Sequence, residues 1–90
     1  MMSQVVYKYA IPVTDHPIIE LPVGAVVLSV GMQGCNMYIW ALIDPQVIAM
    51  DLRKFRVAGT GHLIEEEDVG KFLGTVTGAS GVIVLHVFEV

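Results

Sequence analysis

Four stretches of this chain, Val5 to Ile11, Ala25 to Met32, Met37 to Ile43 and Val82 to Phe88, are strand-length, rich in β-branched and aromatic residues, and bounded by glycine and proline. Several of them are apolar on both faces. A strand of that kind has to be covered twice, once by its own core and once by something else. In a chain of 90 residues little is left over to supply the second cover, so part of the apolar surface is expected to meet another copy, a ligand or a partner.

Composition sharpens the same point. Hydrophobic residues make up 54% of the chain and charged residues 16%, where soluble domains carry about a quarter charged. A single domain spanning residues 1–90 is expected, since no linker-like stretch divides the chain into two cores. The apolar runs are interrupted at Gly31, Gly34, Asn36, Asp44 and Pro45 before the roughly 20 residues of a membrane span accumulate, so no membrane partner is expected. The first residues carry neither a basic leader nor a long apolar segment, which argues against a secretory signal and for residence in the cytoplasm. Nine acids against five bases give a net charge of −4, unsuited to tracking the phosphates of duplex nucleic acid. The lone cysteine, Cys35, permits no internal disulfide and no thiolate metal cage. It is expected to be a small, half-buried turn residue.

Along the chain, alternation predicts a first strand over Val5–Ile11, closed by Pro12. A Pro-containing loop runs to Pro17, and a short edge strand follows over Ile18–Leu21. The runs Ala25–Gln33 and Met37–Ile43 are predicted to pair as a hairpin across Gly34-Cys35-Asn36, with the second strand at the centre of the core. Its two faces are Tyr38, Trp40 and Leu42 on one side and Met37, Ile39 and Ile43 on the other. Gln46–Asp51 shows no period and reads as a connection. Leu52–Thr60 reads as a fifth strand, Glu65–Asp68 as a turn, Lys71–Thr77 as a sixth strand, Gly78–Gly81 as a tight connection and Val82–Val90 as the last strand. Six or seven short antiparallel strands at regular intervals specify an all-β fold, either a compact sandwich or a partly closed barrel.

Few residues stand out as carriers of chemistry. His62 follows Gly59-Thr60-Gly61, where glycines would let a backbone approach a small anion or nucleotide, although a strand-end turn explains the same residues. The stretch lacks the spacing and lysine of a phosphate loop, and no long helix follows it. His86 shares a strand face with Val84 and Phe88, as a hydrogen-bonded histidine in or beside the core would. His16 lies on the Pro-rich loop and is expected to be exposed. Nothing in the spacing of the three histidines builds a metal site. Arg53-Lys54-Phe55-Arg56 concentrates positive charge, with Lys54 and Arg56 on one strand face and Arg53 beside Phe55 on the other. That arrangement suits a planar anionic ligand or, equally, a solvated edge strand guarded by charge. No nucleophile elbow, zinc-protease motif or Cys/His dyad is present, so no catalytic residue, metal or cofactor is expected.

Several stretches together carry a resemblance: Tyr7-Lys8-Tyr9-Ala10-Ile11-Pro12-Val13-Thr14-Asp15, Ile19-Glu20-Leu21-Pro22-Val23-Gly24-Ala25, Trp40-Ala41-Leu42-Ile43-Asp44, Phe55-Arg56-Val57-Ala58-Gly59-Thr60-Gly61-His62, Gly74-Thr75-Val76 and His86-Val87-Phe88-Glu89. Across most of its length the chain resembles a family of small phage and bacterial proteins built on a domain of unknown function. The resemblance implies a phage or prophage setting, hence a host-cell cytoplasm, and carries over no reaction or ligand.

The expectation that follows is a non-enzymatic homo-oligomer. Its oligomeric surface would bind a host protein or a small nucleotide-like anion, in a counter-defence or host-takeover role. Gly59, Thr60, Gly61, His62, Arg53, Lys54, Arg56 and His86 are the candidate ligand residues. Tyr38, Trp40 and Leu42 are the candidate interface. A structural component of a phage particle is the alternative, and a small metal-dependent hydrolase a more remote one.

Overall fold

A computed structural model describes residues 3–78 and 80–90 of the chain. Among these residues the order is β1 (Val5–Ala10), β2 (Ile18–Pro22), β3 (Val26–Gln33), β4 (Asn36–Ile43), β5 (Met50–Gly59), a single 3₁₀ turn (Glu66–Asp68), β6 (Lys71–Thr77) and β7 (Val84–Glu89). The strands form two antiparallel sheets, ordered β1-β4-β3 and β2-β5-β7-β6. The sheets pack as a sandwich and do not close into a barrel. No helix of the described residues is long and apolar enough to cross a membrane.

The central hairpin follows from its turn chemistry. Gln33 pairs with Asn36, leaving a two-residue loop in which Gly34 takes φ +60° ahead of Cys35, the requirement of a type II′ turn matched to sheet twist. Cys35 sits in that turn but is exposed rather than half-buried, because a two-residue loop at the tip of a hairpin has no neighbour to cover it.

Period-2 alternation then sorts the side chains. Met37, Ile39, Ala41 and Ile43 of β4 point between the sheets and are buried. They meet Leu21 of β2, Val27 of β3, Phe55 and Val57 of β5, Val76 of β6 and Val87 of β7 in one core cluster.

The fifth strand begins earlier than the sequence suggests. Met50 and Asp51, read there as part of a connection, pair with Pro22 and Leu21; β2 supplies the partner that no local period announces. Nor is β5 an edge strand guarded by charge, since β2 lies on one side of it and β7 on the other. Its pairing also runs past β2 onto the Pro-containing loop: the Pro17 carbonyl accepts from Phe55 N–H and the Asp15 carbonyl from Val57 N–H. Proline can serve there because only its carbonyl is used. The tight connection expected at Gly78–Gly81 includes Ala79, which lies outside the described residues, as do Met1 and Met2.

Candidate functional site

The candidate ligand residues are distributed over three places rather than gathered into one. Arg53 and Phe55 face the interior as alternation requires. Arg53 Nε lies 2.6 Å from Glu89 Oε2, and its Nη1 donates to the Ala25 carbonyl at 2.8 Å. Nearby, Lys71 Nζ donates to the Val27 carbonyl at 3.0 Å. These charges close one end of the sandwich and bind β3 to the opposite sheet. Arg53 is thus committed to structure.

Lys54 and Arg56 share the opposite face of β5, yet they differ in setting. Lys54 is exposed, while Arg56 is only 8% exposed. The Arg56 guanidinium donates through Nη1 to the carbonyls of Val57 at 2.7 Å and Asp15 at 3.3 Å, and through Nη2 to the carbonyl of Leu63 at 3.0 Å. Its Nε has no hydrogen-bond acceptor among the described residues and lies 3.8 Å from Asp68 Oδ2. The same carboxylate oxygen is 3.0 Å from Nε2 of the exposed His16. Arg56, Asp68 and His16 therefore form a chain of polar contacts joining the Pro-containing loop to the 60–70 connection. A cleft of about 170 Å³ opens beside it, lined by His16, Ile18, Lys54 and Asp68.

The third place is the turn after β5. His62 N–H donates to the Gly59 carbonyl and Gly61 has φ +84°, which makes Gly59 to His62 a type II turn. The His62 ring lies back over Gly59, where an added Cβ would stand 2.9 Å from Cε1. His86 points outward from β7, not into the core, and both ring nitrogens are engaged: Nε2 with Thr60 Oγ1 at 2.7 Å and Nδ1 with Thr75 Oγ1 at 2.9 Å. Two hydroxyls can each donate or accept, so either imidazole tautomer is satisfied. An open cleft of about 330 Å³ is lined by Gly59, Thr60, His62 and the apolar residues Val82 to Leu85. The structure thus brings Gly59, Thr60, Gly61, His62 and His86 together; Arg53 lies on the opposite face of β5, and Arg56 reaches this turn only through the backbone carbonyl of Leu63. Among the described residues no group of three His, Cys, Asp or Glu side chains could hold a metal ion.

The candidate interface residues do share one surface. Tyr38, Trp40 and Leu42 alternate along β4 on the side away from the core and are half-buried by one another and their neighbours. Val6 of β1 and Val26 and Leu28 of β3 flank them, each 44% exposed or more. The Trp40 ring lies over Gly31, whose missing Cβ would stand 3.1 Å from Cζ3, and the Tyr38 and Trp40 ring centroids are 6.5 Å apart. Lys8 reaches inward across this face, with Nζ 4.4 Å from the Tyr38 ring centroid and 2.8 Å from Gln33 Oε1. On the outer face of the other sheet the chain's own loops cover Arg56 but leave Ile18, Leu52 and Phe72 exposed; what sets the β4 face apart is its row of aromatic side chains. On the inner side of β1, burial and then the neighbouring Tyr7 raise the Tyr9 phenol above its ordinary pKa, so the hydroxyl is neutral near pH 7.

Sequence reasoning missed Asp68 and Asp15 as partners of Arg56, Thr60 and Thr75 as partners of His86, and Glu89 as the partner of Arg53. Strand register and the paths of the loops, not proximity in sequence, bring these side chains together. Given β6 beside β7, the pairing of Thr75 with His86 would have exposed one of them.

The comparisons with known proteins add a single relation. No curated protein and no solved structure matches the chain. A family model described as a domain of unknown function, DUF7352, matches residues 2–90, and the chain accordingly belongs to that family.

Proposed function

We propose that this protein is a non-enzymatic binding module that works as a homo-oligomer and presents the outer face of β1-β4-β3 to a protein partner. The observation that carries the reading is the half-buried row Tyr38, Trp40 and Leu42 with the exposed Val6, Val26 and Leu28 around it. Aromatic side chains on a rigid sheet offer large contact area at low entropic cost, which is the chemistry of protein–protein hot spots. The polar clusters support this reading by default: the Arg56 and His86 side chains spend their hydrogen bonds inside the molecule. The phage setting implied by the sequence resemblance makes a host protein the partner to seek.

Two measurements test the proposal. Native mass spectrometry of the intact protein is expected to give a multiple of the chain mass; a monomer at every soluble concentration overturns the oligomer. Affinity purification from host cells is then compared between the native chain and a folded Val26→Glu/Leu28→Glu variant. A bound protein lost on substitution supports the face as the binding surface, and a set of bound proteins unchanged by it refutes the assignment.

A further inference from the structure

The four sheet edges of this sandwich are not equivalent. In β2 the pairing of Pro17 with Phe55 and of Val23 with Ala49 turns the odd-numbered backbone groups toward β5. Ile18, Glu20 and Pro22 therefore face out. That edge carries a charge at Glu20 and lacks a donor at Pro22, both of which blunt strand addition. The β3 and β6 edges face each other and are tied across by Lys71 Nζ to the Val27 carbonyl, with Gly74 against Val30.

Among the described residues the β1 edge has no such device. Ile11 N–H donates to the Met37 carbonyl, and the register runs unbroken from Val5 opposite Ile43 to Ala10 opposite Tyr38. The odd-numbered residues thus bond β4, while the N–H and C=O groups of Val6, Lys8 and Ala10 point off the free edge. No proline or glycine interrupts the strand, and Val6 and Tyr7 are about half exposed. Its one charge, Lys8, is drawn back over Tyr38 to Gln33 and does not guard the edge.

We infer that two copies of this chain join by antiparallel pairing of their β1 strands about a two-fold axis at Tyr7. The edge is its own complement, as an isologous contact requires. Centring on Tyr7 places Val6 opposite Lys8 of the second copy, so the outward groups exchange hydrogen bonds, and Tyr7 opposite its own counterpart as an aromatic pair. Centring on Lys8 would set like charges opposite each other. The product is a continuous six-stranded sheet, β3-β4-β1 followed by β1-β4-β3 of the second copy. A two-fold perpendicular to the sheet puts both Tyr38-Trp40-Leu42 rows on the same side, doubling the apolar platform.

This inference rests on the self-association proposed above, and the test separates the two. Light scattering on the native chain is expected to give the mass of two chains. Val6→Pro removes an outward donor that β4 does not use; it is expected to halve that mass while the far-ultraviolet circular dichroism stays unchanged. Tyr7→Cys in a Cys35→Ser background is expected to form a covalent dimer on mild oxidation, in clear excess over Leu63→Cys, an exposed control away from the edge. If Val6→Pro does not fold, the cross-link decides. A monomeric native chain overturns both the inference and the self-association beneath it. A dimer that survives Val6→Pro, or that gives no excess cross-link at Tyr7, overturns the edge pairing alone.

Discussion

Arg56→Ala tests whether the two loops over the four-stranded sheet are held by one guanidinium. The side chain ties Asp15 of the Pro-containing loop and Leu63 of the 60–70 connection to β5 through bonds of 3.3 and 3.0 Å, and bonds the Val57 carbonyl of its own strand at 2.7 Å. Hydrogen bonds from a charged donor contribute about 1.5–3 kcal/mol each, and the 3.3 Å bond sits below that range. The Asp15 carboxylate, 3.9 Å away and 83% exposed, adds little in water. Asp68, with a side chain only 16% exposed, loses its cation neighbour on substitution. Breaking a buried charge network by removing one partner costs about 3–5 kcal/mol. A 90-residue domain is stable by roughly 5–13 kcal/mol at about 0.05–0.15 kcal/mol per residue. At about 4–8 °C per kcal/mol the melting temperature should fall by at least about 12 °C. Denaturant titration gives the free energy directly, with an unchanged slope showing that the unfolded surface is the same. Arg56→Met, which keeps the apolar stem, should lose nearly as much as Arg56→Ala. Amide exchange should quicken around Leu63 before it does in β4. A loss below about 1 kcal/mol in both variants would refute the argument that these bonds hold the loops.

Other perturbations read separate features of the structure. Gly70→Ala places a Cβ 1.9 Å from the backbone oxygen of Glu89 and should cost at least about 2 kcal/mol by thermal melt, as overpacking against backbone does. Gly59→Ala meets only the exposed His62 ring at 2.9 Å, which can swing away, so its melt should stay within about 0.5 kcal/mol of the native chain. Phe55→Ala empties a site that is 1% exposed and should cost about 3–5 kcal/mol. In a double-mutant cycle, Arg53→Met and Glu89→Gln should be non-additive by about 0.5–3 kcal/mol, since the two share a 2.6 Å contact.

The strands were legible because their signals are local. The continuous apolar, aromatic-rich run Met37–Ile43 and the Gly34 turn specify the β3–β4 hairpin without any distant residue, and the Val84, His86 and Phe88 face follows from period alone. Signals that depend on a partner were not legible. Met50 and Asp51 carry no strand pattern of their own and are strand because β2 lies beside them. Arg56 reads like a solvated charge until the loops at Asp15 and Leu63 close over it. The basic run Arg53 to Arg56 suggested one ligand site; alternation sent its members to opposite faces, and burial then gave Arg53 and Arg56 separate structural partners while Lys54 stays exposed.

The asymmetry between the two outer faces follows from how this chain spends its non-strand residues. The four-stranded sheet has polar or charged side chains on part of its outer face, Arg56, Thr75 and His86 among them, and the chain lays the Pro-containing loop and the 60–70 connection across that part, where those side chains hold them, while Ile18, Leu52 and Phe72 beside it stay exposed. Outside the three-stranded sheet, Tyr38, Trp40, Leu42, Val26 and Leu28 offer a loop backbone almost no hydrogen-bond partners. A loop laid there would bury its own N–H and C=O groups unpaired, at about 1–3 kcal/mol each. Another sheet face or an aromatic-rich partner brings its backbone groups already paired and meets no such penalty. Part of the apolar excess noted in the composition therefore lies on a surface that this chain's own loops are poorly able to cover, and its aromatic row is a physical reason to place partner recognition there and not at the histidines.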